Sequence, residues 1–73
     1  MQMTILIEKE IDGYYRRAMF STKNGKPSMS TSILNRRGTY QRNLDFRYFD
    51  SKEEGNEKFK SMIAEGYKVI DKW

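Results

Sequence analysis

Residues 4–11, Thr-Ile-Leu-Ile-Glu-Lys-Glu-Ile, begin with β-branched side chains and then alternate, so that Ile5, Ile7 and Ile11 fall on one face. A period of two predicts a half-buried strand. Asp12-Gly13 follows, a pair suited to the positive-φ positions of a tight hairpin turn. The run 14–22 predicts a second strand. Tyr14, Arg16, Ala18 and Phe20 share one face, and Tyr15, Arg17, Met19 and Ser21 share the other. Both faces carry aromatics and arginine, so alternation does not decide which is buried. Lys23-Asn24-Gly25-Lys26-Pro27 predicts a second turn, with the proline opening the next strand where no amide is required. Residues 28–35 predict a third strand, with Met29, Thr31 and Ile33 opposite a small polar row of Ser28, Ser30, Ser32 and Leu34. Such a row suits contact with a polar polymer, and equally an ordinary solvent-facing side. Residues 43–49 predict a fourth strand. There Leu44, Phe46 and Tyr48 lie opposite Asp45, Arg47 and Phe49, which makes Tyr48 a core candidate.

The period then changes. Asp50 is placed to cap a helix over 51–65, with Glu53 three positions on as in a capping box. Phe59, Met62 and Ile63 have the spacing of one buried face. Gly55 weakens the first turns, and Gly66 suits the left-handed residue after the helix. Tyr67, Val69 and Ile70 allow a short last strand. The expectation is one α+β domain over 1–73, a four- to five-stranded antiparallel sheet with one α-helix on a face.

Composition narrows the chemistry. A chain of 73 residues holds one modest core, and so small a core leaves room for a homodimer. Aromatics at 14% argue for a folded core despite only 37% hydrophobic residues. Cysteine and histidine are both missing, so neither a disulfide nor a zinc site is expected. No apolar run approaches the ~18 residues of a membrane span, and no signal-peptide pattern opens the chain, so the default expectation is cytoplasmic. An enzyme is not expected. Acid–base work would fall to Asp, Glu, Lys or Tyr, and no nucleophile–base pairing is visible. The acidic cluster Asp50, Glu53, Glu54 and Glu57 is explained by a helix start, where anions are favoured. No cofactor or metal is called for, and glycine-rich phosphate loops are absent.

Charge is the informative feature. The net +4 divides into −2 over residues 1–12, +7 over 13–48 and −1 over 49–73. Every arginine lies between 16 and 47, with lysine dominating elsewhere. Arginine grips phosphate with a planar fork and stacks on rings, whereas lysine is a hydrated point charge. Segregated arginine therefore points to a polyanion surface. The first candidates are Arg36, Arg37 and Arg42, in the most polar connection of the chain, with Arg16, Arg17 and Arg47 behind them. Tyr40 is the stacking candidate. The one helix has a net charge of −1 and is the wrong element for anionic lipid, so no membrane partner is expected.

The order of elements over roughly 5–67 resembles a WGR domain, a small nucleic-acid-binding module. Arg36 and Gly38 match the arginine and second glycine of the W-G-R-x-G segment, and Gln41 resembles the glutamine that often follows. Phe49-Asp50-Ser51 before the helix and Gly66-Tyr67 after it are also similar. Leu34 and Asn35 stand where the family has Trp and Gly, and the loop to Gln41 is one residue short. The resemblance implies a DNA contact through residues 36–42. Two functions follow from the residues. One is a non-catalytic module for DNA or RNA. The other is a protein-interaction or inhibitor module that docks an acidic partner.

Overall fold

The computed structural model describes residues 3–23, 25–35, 37 and 41–73. Five strands and one helix run in the order β1 (Thr4–Ile11), β2 (Tyr14–Lys23), β3 (Lys26–Leu34), β4 (Gln41–Tyr48), α1 (Lys52–Ala64) and β5 (Lys68–Lys72). The sheet order is β4-β3-β2-β1-β5, and every neighbouring pair is antiparallel. The architecture is the expected α+β sheet with one helix. The helix carries the chain from one outer strand to the other.

The hairpins follow from their turns. Asp12 and Gly13 take φ of 53° and 83°, the left-handed pair that matches the twist of the strands, and β1 pairs with β2 from Ile11↔Tyr14 to Thr4↔Ser21. Gly25 takes φ 78° in the second turn, and Lys23↔Lys26 closes β2 on β3. The two-residue connection is tighter than the five-residue turn the sequence suggested. Pro27 sits near the start of β3 and still accepts from the Phe49 amide at 2.9 Å, which extends the β3–β4 pairing.

The register settles which face of β2 is buried. Ile7↔Ala18↔Thr31 and Ile5↔Phe20↔Met29 form cross-strand rows beneath α1. Ile7, Ala18, Phe20, Met29, Phe49, Met62 and Tyr67 make the core. Phe20 stacks parallel to Phe49 and meets Phe59 edge-on. At Gly55 the helix lies close against this cluster, since a methyl there would lie 3.3 Å from the Phe49 ring. The buried helix positions are Gly55 and Met62, with Phe59 partly buried between them. Ile63 is 37% exposed, which removes it from the expected core face.

The helix ends differ from expectation at one side. Ser51, not Asp50, is the N-cap, and its hydroxyl accepts from the Glu54 amide at 3.2 Å. The capping pair is thus Ser51 and Glu54, one residue later than Asp50 and Glu53. At the other end Gly66 has φ 111°, the Tyr67 amide donates to Met62 O and the Gly66 amide to Ile63 O. That is a Schellman closure, and it turns Tyr67 into the core. Lys9 on β1 donates to Glu65 O, satisfying a carbonyl of the last turn with a cation where the helix dipole favours one.

One helix cannot cover this sheet. Five strands span about 19 Å at ~4.8 Å spacing, and a helix with its side chains is about 10–12 Å across. Both outer strands are therefore exposed along their whole length. This overturns the expectation that Tyr48 is core: Leu44, Phe46 and Tyr48 are 44, 53 and 49% exposed, and Phe49 is the residue that turns inward. The face of the sheet away from α1 has no element over it among the described residues.

Candidate nucleic-acid interface

The five described arginines do not converge into one patch. Arg16 and Arg17 are adjacent on β2 and so point to opposite faces. On the face away from the helix, Arg17 Nε donates to Glu8 Oε1 at 2.9 Å. On the helix side, an Arg47 Nη atom meets Glu54 Oε1 at 2.9 Å, and the guanidinium lies 4.9 Å from the centre of the Phe49 ring. Those two arginines tie parts of the fold together. Arg36 and Tyr40, the leading loop arginine and the stacking candidate, lie outside the described residues.

The remaining cations do gather. Arg16 pairs with Ile33 on β3, and Ile33 pairs with Arg42 on β4. The two guanidinium-bearing residues therefore share the helix-side face, two strands or about 10 Å apart at their backbones. Lys9, the partner of Arg16 on β1, adds a third cation to the row, with its ammonium held by Glu65 O. The row lies at the end of the sheet from which the β3–β4 connection leaves, and Arg37 is exposed in that connection. No carboxylate among the described residues forms an ion pair with Arg16, Arg37 or Arg42; the two ion pairs found there belong to Arg17 and Arg47. A recess of about 220 Å³ opens beside Arg16, between the C-terminal half of α1 and strands β2 to β4, with Lys58, Leu44, Met62 and Glu65 on its walls.

The uncovered face has its own relief. Ser28 and Ser32 are only 3% and 8% exposed, so these two members of the serine row are sunk below their neighbours and do not form the ordinary solvent-facing side the sequence allowed. Ser28 Oγ lies 3.2 Å from both the hydroxyl and the carbonyl oxygen of Ser21, and larger neighbours rise on either side. The small side chains thereby form the floor of a trough. Arg17 and Met19 stand on its β2 side, and Gln41 and Asn43 on its β4 side. With Leu6, Ser30 and Ser32 they enclose about 200 Å³. Farther along β4 on the same face, Phe46 and Tyr48 meet edge to face with ring centres 5.1 Å apart. Lys26 lies 6.0 Å from the Tyr48 ring centre.

Sequence reasoning missed this second feature because it assigned Tyr48, on the face it shares with Leu44 and Phe46, to the core. The signal that could have found it was the element count, since one helix over five strands must leave an outer strand bare. At the other end of α1, a groove of about 410 Å³ is lined mainly by apolar side chains, Met3, Ile5, Phe20, Phe49 and Phe59 among them, with Lys52 at its edge. No helix among the described residues is long and apolar enough to cross a membrane.

Compared with protein families, characterised proteins and solved structures, the chain finds no match.

Proposed function

We propose that this chain is a small, non-catalytic nucleic-acid-binding module of the cytoplasm that holds phosphates at the Arg16–Arg42 end of its sheet. The observation that carries the reading is the row Lys9, Arg16 and Arg42 beside Arg37, in which none of the three arginines is bonded to a carboxylate among the described residues. Unpaired guanidinium groups on a rigid sheet keep their capacity for phosphate, and releasing condensed counterions drives such binding. Strand β3 ends and β4 begins at the same end of the sheet, and the resemblance of Arg36 and Gly38 to the WGR segment implies a DNA contact by the residues that join them.

Fluorescence anisotropy with labelled oligonucleotides at two salt concentrations tests the reading. Binding should weaken steeply with salt. The triple variant R16A/R37A/R42A should reduce the slope of log K against log salt by about 2–3, at about 0.7–0.9 for each phosphate no longer neutralised. Binding that ignores salt, or a triple variant that binds like the parent, would sink it. A second reading is a protein-interaction or inhibitor module, favoured by the exposed apolar side chains of β4. It predicts a co-purifying acidic protein and a 260/280 nm absorbance ratio free of nucleic acid.

A further inference from the structure

Resting on that reading, we infer that the nucleic acid bound is single-stranded and that its bases lie on the uncovered sheet face, along the trough above the serine row. Three observations point there. The trough has an apolar lining from Leu6 and Met19, amide groups of Gln41 and Asn43 on its β4 side and the Ser30 hydroxyl on its floor. Unstacked bases present that combination, an apolar ring with hydrogen-bonding edges. Next to it, Phe46 and Tyr48 expose about half of their surface, and a base of any sequence can stack on an aromatic face. Finally, the charge is suitable. The sole carboxylate on β2, β3 and β4 is Asp45, and its pairing with Thr31 turns it to the helix side. Glu8, Glu10 and Asp71 are confined to β1 and β5.

The same geometry disfavours a duplex. In a duplex the base faces are stacked on one another, and the groove edges are read by a protruding helix or ribbon. Among the described residues this face is a shallow sheet with no helix or ribbon standing out from it. A single strand can instead pass over the bare β4 edge. Its phosphates would meet Arg42 and Arg37, and its bases would reach Phe46, about 13 Å farther along the strand. Lys26, at the far end beside Tyr48, supplies another cation.

The test compares one labelled single strand with the duplex of the same sequence, using wild type, F46A/Y48A, F46L/Y48L and S30L. Phe46, Tyr48 and Ser30 lie outside the core, and circular dichroism confirms that each variant is folded. Wild type should prefer the single strand by tenfold or more. F46A/Y48A should lose about 30-fold or more, from the weakest stacking contribution taken for two rings. F46L/Y48L should lose nearly as much, because leucine restores apolar area but no aromatic face. S30L, which fills the trough, should weaken the single strand and leave the R16A/R42A defect unchanged.

Equal affinity for both forms with F46A/Y48A unaffected overturns this inference and leaves the phosphate reading standing. Failure to bind either form at low salt overturns both. If wild type sediments as a dimer that F46A/Y48A breaks, the face is a self-association surface and the inference is wrong.

Discussion

Asp50 and Ser51 are neighbours, and both are good N-cap residues. The chain uses Ser51 because Glu54 is wanted elsewhere. With Ser51 as cap, the Glu54 amide is satisfied by the Ser51 hydroxyl, while the Glu54 carboxylate reaches both Arg47 and the Asp50 amide. Ser51→Ala should therefore cost about 1 kcal/mol, the usual value of an N-cap, and Asp50→Ala should cost much less. Urea unfolding of the two variants measures the difference, and equal losses would contradict the assigned cap. Spacing alone pointed to Asp50 and Glu53, and the shift to Ser51 and Glu54 depends on Arg47 arriving from another strand. Gly13, Gly25 and Gly66 were legible for the opposite reason. Each needs a positive φ imposed by its own turn or cap, a local property that the residue type reports directly. Gly55 reads from sequence as a helix weakness, and its proximity to Phe49 becomes visible only after packing.

At the scale of elements, strand and helix positions were legible because each follows a short-range period. What alternation could not give is the partner of each face. On β2 both sides mix aromatic and cationic residues, and only the cross-strand rows through Ile7 and Met29 separate them. The outer strands carry a further device. Pairing of Phe49 with Pro27 and of Trp73 with Thr4 directs those amides inward, so the amides of Phe46 and Lys72 alternate outward along the free edges. Each is taken by the preceding aspartate: Asp45 Oδ1 accepts from Phe46 N and Asp71 Oδ1 from Lys72 N, both at 2.8 Å. A negative charge and an occupied donor on each edge discourage strand addition by another chain. D45A/D71A should therefore self-associate at lower concentration, by roughly fivefold for each hydrogen bond of ~1 kcal/mol that becomes available. Sedimentation velocity over a concentration series reads this. An unchanged monomer would mean the aspartates do not guard the edges.

At the scale of the whole molecule, the sequence places all six arginines between 16 and 47, and the fold then sorts the described ones by what surrounds them. Glu8 stands opposite Arg17 in the β1–β2 register, and Glu54 lies on the helix start that follows β4, so these two guanidinium groups are occupied at home. Arg16 and Arg42 have Ile33 between them, are exposed, and form no ion pair among the described residues. No count of charges along the chain could separate these sets, since each member depends on contacts between residues distant in sequence. The division implies two experiments with opposite results. R17A/R47A removes the partly buried Arg17–Glu8 pair and the contact between Arg47 and Phe49, so it should lower stability by about 1–2 kcal/mol in total. It should leave the salt slope of oligonucleotide binding unchanged. R16A/R42A should leave the denaturation midpoint within about 0.5 kcal/mol of wild type and reduce the salt slope by about 1.4–1.8. If both doubles lower the slope alike, the ion pairs open on binding and the distinction between structural and phosphate-binding arginines fails. If only R17A/R47A lowers it, the phosphates are held by the two arginines assigned to the fold and not by Arg16 and Arg42.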